Sequence, residues 1–169
     1  RYGLPLAVSQ NYRWNGANYL ARQILQKGWI GRPFYAGIEI QGRQDVELAG
    51  HPFYSTCEGF LTVQWNNHLA DLLRCWLGRD PLRVLACTRR MKGQNFRSDN
   101  LLLSVADYGE GVTGHIVHSE LLRSSLGCAR CRVDGDAGSL VFDLYGVELT
   151  VHSERTGRDP CLLKPEGAG

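Results

Sequence analysis

The apolar residues change their spacing about halfway along the chain, and this change limits the folds it can adopt. Before residue 78 they recur at helical intervals in two segments, whereas after it they alternate with polar residues in six short segments. Spacing of three and four residues is typical of a helix with one buried face, and alternation is typical of a half-buried strand. Two early helices followed by a run of strands predict an α+β domain.

The two helices have clear ends. The first follows Asn15, a favoured N-cap residue, and ends at Lys27-Gly28, where a cation and then a glycine are typical of a C-terminus. The second runs from about Phe60 to Leu77, with Gly78 as its C-cap. The remaining segments of this half are predicted to be strands at Leu4–Gln10 and Phe34–Gln41 and a long loop from Gly42 to Cys57.

The second half predicts a meander of strands. Short glycine-rich joints separate them, so successive strands should be antiparallel neighbours. The expected fold is an open, mostly antiparallel sheet with helices packed on one face, whose other face is solvated or covered by another surface. The predicted strands are Leu82–Arg90, Leu101–Tyr108, Val112–Leu121, Cys128–Val133, Ser139–Leu144 and Val147–His152.

Length and charge exclude several classes of protein. The 169 residues allow one domain, predicted to span residues 1–155, and the glycine- and proline-rich residues 156–169 are expected to be a loop or linker tail. No apolar run approaches the roughly 20 residues of a membrane span, so we expect no membrane partner. The net charge is only +2 and the basic residues are scattered along the chain, so we expect no nucleic-acid partner. The chain begins at Arg1 without a targeting pattern, so it is expected to start inside a longer, cytoplasmic protein, although export stays open.

The six cysteines do not predict a disulfide framework, because their spacing is irregular and the chain is large enough to build an apolar core. Cys128 and Cys131 form one C-x-x-C pair, and His115, His118 or His152 could add metal ligands. Residues three apart on a strand point to opposite faces, however, so we expect no metal site.

A glycine-rich run at 109–114 (GEGVTG) matches the pattern of a dinucleotide-binding turn. Such a turn must connect a strand to a helix, whereas the residues that follow this run alternate as a strand. We therefore expect these glycines to shape a hairpin.

Three polar residues on the second helix form the candidate site. Gln64, His68 and Asp71 have the spacing that brings side chains to one helical face. His68 could move a proton near neutral pH, Asp71 could fix its tautomer, and Gln64 could bind a substrate hydroxyl. Spacing alone favours the alternative, a core histidine that is hydrogen-bonded to Asp71. Arg13, before the first helix, could bind an anionic group or form an ordinary surface ion pair.

The order of these segments resembles the C-terminal domain of the Gfo/Idh/MocA oxidoreductase family from about Leu4 to His152. Three segments carry the resemblance: residues 27–31 (KGWIG), the helix with Gly59, Gln64, His68 and Asp71, and residues 135–140 (GDAGSL). The resemblance implies that His68 is the catalytic histidine, that the open sheet face forms a subunit interface, and that NAD or NADP is bound mainly by a domain absent from this chain. It further implies a sugar, cyclitol or related polyol as substrate, positioned by Gln64, Asn67 and Arg13, with Asp71 supporting.

The chain also departs from the family. Gln64 stands where the family has an aspartate, and a neutral amide cannot act as a base at pH 7. The family's Glu-Lys-Pro lysine is missing as well. The alternatives are therefore a non-catalytic binding module that kept the fold, or a dimerisation domain without a ligand. In either case this chain alone is expected to be inactive and to bind no cofactor.

Overall fold

One sheet of eight strands organises the protein in the computed structural model, which describes residues 3–5, 7–157 and 159–164. The helices are α1 (Gly16–Gln26), α2 (Gln44–Glu47), α3 (Pro52–Thr56) and α4 (Asn66–Leu77), with a π-helical segment at Phe60–Trp65 and 3-10 turns at Asn11–Trp14 and Glu154–Thr156. The strands are β1 (Pro33–Gln41), β2 (Arg83–Arg89), β3 (Leu101–Asp107), β4 (Thr113–Ser119), β5 (Cys128–Gly135), β6 (Gly138–Asp143), β7 (Leu149–Ser153) and β8 (Cys161–Leu163).

The spatial order of the strands is β2-β3-β4-β1-β5-β6-β7-β8. The meanders β2-β3-β4 and β5-β6-β7 are antiparallel, as the short joints predicted. β1 lies between them, parallel to β4 and antiparallel to β5. The parallel pairing is possible because the chain between β1 and β4 includes α4 and a whole hairpin, which is long enough for a crossover. The carboxyl ends of β1 and β4 therefore meet at one edge of the sheet.

The helices cover one face of this sheet and form the core with it. Ile38, Val133 and Leu140 point to that side and are fully buried, as are Leu69 and Leu72 of α4. Aromatic contact adds to the packing, since the rings of Trp76 and Phe142 meet edge to face with centroids 5.4 Å apart. The predicted fold class is thus confirmed.

The opposite side, which we call the open face, is not covered by any of the described elements. Apolar side chains on β2 and β3 are exposed on this face. The exposed fractions are 79% for Leu85, 43% for Leu103 and 50% for Val105. Beside them on β1 and β4, the Tyr35 hydroxyl lies 2.8 Å from Nδ1 of His115. The open face is therefore apolar at one end and polar towards the centre.

Residues 109–112 form a tight turn between β3 and β4, and residues 113 and 114 begin β4, so the hairpin prediction is confirmed. Gly109, Glu110 and Gly111 all have positive φ, which glycine adopts without strain. The backbone N–H of Val112 donates to the carbonyl of Gly109 and closes the turn. This geometry is that of a strand pair and differs from the strand-to-helix turn that holds a pyrophosphate.

Three local predictions are wrong. The described residues of Leu4–Gln10 form no strand, because no neighbouring strand pairs with them and Leu4 and Val8 are exposed; Leu6 lies outside the described residues. The predicted loop at 42–57 contains α2 and α3, the second starting at Pro52, a residue suited to a first helical turn. The tail after residue 156 contributes β8, whose Cys161 pairs with Val151.

Candidate functional site

The helix that carries the candidate residues is confirmed, but its first part has a different pitch from the one predicted. Phe60–Trp65 is π-helical, and α4 begins only at Asn66. The side chain of Asn66 donates to the carbonyl of Leu61 at 2.6 Å, which satisfies one carbonyl group of the widened turn. Gln64 thus lies on the π-helical segment and His68 on α4. The regular α-helix from which a shared face was predicted therefore does not span the two residues. π-Helical turns are frequent at functional sites.

His68 lies half-buried under the ring of Tyr12. The two rings stack with centroids 4.7 Å apart and planes 16° from parallel. Nδ1 of His68 is buried without a hydrogen-bond partner among the described residues. Nε2 is not among the buried atoms and bonds to none of the described residues, so it is the nitrogen that a ligand can reach.

Asp71 pairs with Arg13 and not with His68. The guanidinium donates from Nε and Nη2 to the two carboxylate oxygens, with Nε 2.5 Å from Oδ2. This hydrogen bond raises the pKa of Arg13 above its usual value. The prediction that Asp71 orients His68 is therefore corrected, because a bidentate arginine occupies both oxygens. For the same reason Arg13 is engaged within the chain, although about a third of its side chain stays exposed.

Gln64 and Asn67 are both exposed on the outer side of this helix. Their amides can donate and accept hydrogen bonds with the hydroxyl groups of a ligand. Their assignment to substrate binding stays a prediction.

The Tyr12 ring that stacks on His68 also contacts two further aromatic side chains, an arrangement that local periodicity does not predict. We call Tyr12, Trp65 and Tyr145 the aromatic cluster. Tyr12 meets Trp65 edge to face at 6.4 Å and Tyr145 at 6.2 Å. Burial raises the pKa of both tyrosine hydroxyls, so they remain protonated near neutral pH. The cluster joins the 3-10 turn before α1, the helix of His68 and the turn after β6.

A second histidine was also missed. His118 on β4 is fully buried, and its Nε2 lies 2.9 Å from Oε1 of Glu120, which is 3% exposed. The ring of Trp65 contacts His118 edge to face at 6.0 Å. The only role predicted for His118 from the sequence was that of a possible metal ligand. Its position at a core-facing site of an alternating strand was the signal that could have revealed it.

No group of three or more histidine, cysteine, aspartate or glutamate side chains among the described residues is placed to hold a metal ion. Cys131 is fully buried, and burial raises the pKa of its thiol far above the usual value. Within the same described part of the chain, no helix is long and apolar enough to cross a membrane.

Comparison with known proteins gives consistent results. A family model described as the GFO/IDH/MocA C-terminal domain matches residues 19–141. D-apiose dehydrogenase of Paraburkholderia graminis is 28% identical over 168 residues, which are 98% of this chain and 44% of that protein. D-apiose dehydrogenase of Rhizobium rhizogenes is 27% identical over 110 residues, which are 65% of this chain and 31% of that protein. The chain thus spans less than half the length of these curated relatives.

Solved structures share the fold. An oxidoreductase from Agrobacterium radiobacter in complex with NAD+, L-tartaric acid and magnesium matches with a TM-score of 0.78 and 22% identity, over 95% of this chain and 46% of that one. An inositol dehydrogenase homologue from Azotobacter vinelandii, complexed with NADH and myo-inositol, matches with a TM-score of 0.75 and 16% identity, over 93% and 41%. At such identities the likeness establishes the architecture alone.

Proposed function

The chain belongs to the Gfo/Idh/MocA family, whose C-terminal-domain model it matches, and on that premise we propose that it is the substrate-binding half of an NAD(P)-dependent oxidoreductase. The observation that carries the proposal is His68, whose ring stacks on Tyr12 and whose Nε2, unlike Nδ1, is not among the buried nitrogens without a partner. We propose a sugar, cyclitol or related polyol as substrate. The names of two relatives, D-apiose dehydrogenase and inositol dehydrogenase homologue, support that class.

The chain's own residues do not fit a dinucleotide site. The glycine-rich run at 109–114 is a hairpin, and the described residues contain no glycine-rich turn from a strand into a helix. A nicotinamide nucleotide would be held by another part of the protein, where it would supply the hydride acceptor or donor.

The proposed role of this chain is to bind the substrate and to move one proton. His68 Nε2 would accept the proton of the substrate hydroxyl during oxidation and return it during reduction, because histidine is the side chain most often used for such proton transfer. Gln64 and Asn67 would bind neighbouring hydroxyl groups through their exposed amides. Arg13 would act mainly by fixing the turn that carries Tyr12, since Asp71 holds its guanidinium.

An assay of the full-length protein tests this proposal. With NAD+ or NADP+ and a panel of D-apiose, levoglucosan and myo-inositol, we expect reduction of the nucleotide with at least one polyol. The 169-residue chain alone should show no turnover, because it lacks a site for the hydride carrier. A full-length protein that binds a polyol without oxidising it would favour the non-catalytic binding module, for which the neutral Gln64 is the supporting observation.

We also propose that the open face mediates self-association. Exposed Leu85, Leu103 and Val105 form a contiguous apolar surface of the kind that marks an interface. Static light scattering of the 169-residue chain should therefore give at least a dimer. Val105→Lys, which places a charge in this surface, should raise the proportion of monomer, whereas Leu126→Lys in the loop between β4 and β5 should not. A monomer at all accessible concentrations would contradict the proposal.

A further inference from the structure

His118 and Glu120 form a buried acid–base pair that the proposed reaction does not use directly. They lie at the carboxyl end of β4, beside the carboxyl end of β1, and are 0% and 3% exposed in their side chains. Nε2 of His118 is 2.9 Å from Oε1 of Glu120. Since a carboxylate can only accept, the imidazole donates from Nε2 when Glu120 is ionised.

Neighbouring backbone groups bind Glu120, and a glycine leaves space for its carboxylate. The backbone N–H of Gln44 donates to Oε2 of Glu120 at 3.1 Å. Gly42 makes room for it, because a Cβ at that position would lie 2.0 Å from Oε2. The backbone N–H of Glu120 donates to the carbonyl of Asn100 at 3.1 Å and fixes the start of the following loop. Glu120 is therefore held from the segment after β1 and from the segment before β3.

Packing alone does not explain a polar pair at this depth. Well-packed apolar side chains of similar volume commonly replace a buried ionisable pair without loss of stability, because they avoid its desolvation. Nδ1 of His118 is in addition buried without a partner among the described residues, which adds to the cost. The presence of this polar pair in the core is better explained by a role in holding neighbouring side chains in position.

His118 contacts Trp65 of the aromatic cluster, and the cluster reaches His68 through Tyr12. The imidazole of His118 meets the indole of Trp65 edge to face, with planes 85° apart. The indole also meets Tyr12 edge to face, and Tyr12 stacks on His68. Trp65 is the last residue of the π-helical segment, where the helix changes pitch before α4. Its ring is thus supported from the sheet by His118 and from the chain before α1 by Tyr12.

We propose that Glu120 and His118 are positioning residues for the site of His68: the carboxylate fixes the imidazole of His118, and this ring holds Trp65 and, through Tyr12, the plane of His68. The inference rests on the proposed function, because it assigns a role at the site where His68 transfers a proton. Neither residue needs to touch the substrate.

The first test uses the 169-residue chain and does not depend on catalysis. In the double variant His118→Phe/Glu120→Leu the core stays filled and the desolvation of the pair is avoided, but the backbone N–H of Gln44 loses its acceptor. We expect these effects to offset, so the midpoint of thermal unfolding should change little. Imidazole ¹H–¹⁵N spectra should nevertheless show shifted His68 signals, and the NOEs between His68 and Tyr12 should weaken. His152→Gln, at an exposed position of β7 away from the aromatic cluster, is the control and should leave the His68 signals unchanged.

The result that would overturn the proposal is a double variant whose His68 signals coincide with those of the unmodified chain. A loss of His68 signals that only accompanies unfolding would overturn it too, because it would show a packing role. His118→Gln is a rescue variant, since its amide can still donate to Glu120, and it should restore the His68 signals in part.

The second test uses the full-length protein. The double variant should lower kcat roughly 10- to 100-fold with little change in KM, the effect expected when a reacting group is displaced by about 1 Å. His118→Gln should recover part of this loss, and His152→Gln should behave like the unmodified protein. An equal kcat in the double variant would overturn the positioning role. If the full-length protein has no activity at all, the proposed function fails, while the spectra of His68 still decide this inference.

Discussion

Replacing His68 with alanine in the full-length protein is expected to lower kcat by roughly 10²- to 10⁴-fold, the usual contribution of a general acid–base group. The side chain is half-buried and contacts Tyr12 through one stacked face. Its removal should therefore cost no more than about 1 kcal/mol in the free energy of unfolding, the typical value of one aromatic pair. Steady-state kinetics and urea unfolding of the same preparation measure both quantities.

A matched control separates this effect from a general effect of losing a histidine. His152 is exposed on β7, away from the aromatic cluster, and His152→Ala should retain the original kcat. If His68→Ala instead lowers stability by several kcal/mol and activity only in proportion, His68 is a core histidine and the catalytic assignment is wrong.

Replacing Asp45 with alanine is expected to destabilise the domain by about 3–5 kcal/mol, because several donors lose a buried charged acceptor at roughly 1–3 kcal/mol for each hydrogen bond. The Asp45 side chain is fully buried and accepts hydrogen bonds from the backbone N–H groups of Asn95 and Phe96, from the amide of Asn100 and from Arg123. Without the carboxylate these donors lose their acceptor at once. Urea unfolding at neutral pH measures the change.

The stability that Asp45 contributes should also depend on pH. Burial acts to raise its pKa, but the N–H groups of Phe96 and Asn95 and the guanidinium of Arg123 outweigh it and hold the pKa below the usual value. Because the pKa is lower in the folded state, the ionised carboxylate contributes its full stabilisation above about pH 4, the pKa of the unfolded state. This stabilisation is lost as the pH falls through the folded-state pKa. The difference in stability between the unmodified chain and Asp45→Ala should therefore shrink on acidification below about pH 4.

An exposed carboxylate provides the comparison for Asp45. Asp80 pairs with Arg74, but its side chain is 74% exposed. Exposed ion pairs contribute little, so Asp80→Ala should change the free energy of unfolding by less than about 1 kcal/mol. Equal effects at the two positions would contradict the role given to the Asp45 network.

The sequence predicted what depends on local periodicity. The helix Gly16–Gln26 follows from its apolar stripe and Asn15, and the strands after residue 82 follow from alternation and from glycine-rich turns. The hairpin at 109–114 followed from the residues after it, which alternate. In each case the deciding interactions join residues that are close in sequence.

The sequence did not predict what depends on contacts between distant segments. Asp71 has a nearby histidine on its own helix, yet Arg13 binds it from 58 residues away. The aromatic cluster joins residues as far apart in sequence as Tyr12 and Tyr145. Glu120 is held by the segments after β1 and before β3, and periodicity does not encode either set of contacts. The apolar spacing of residues 60–77 predicts one α-helix and does not reveal the π-helical turn at its start. Gln64 lies on that turn and not on the α-helix that carries His68.

The central place of β1 has a consequence for how the protein reaches its native state. β1 leaves the ribosome before either of its neighbours, and its Tyr35 pairs with Thr113 of β4 and with Asp134 of β5. The two meanders can form from contacts within each of them, whereas the sheet becomes continuous only when β1 enters between them. Such long-range pairing slows folding, because the entropy of closing a long loop is lost before the contacts form. Until then Ile38 and Ile40 lie on an unpaired strand, so nascent chains of this domain should depend on chaperones more than an all-local fold of equal length.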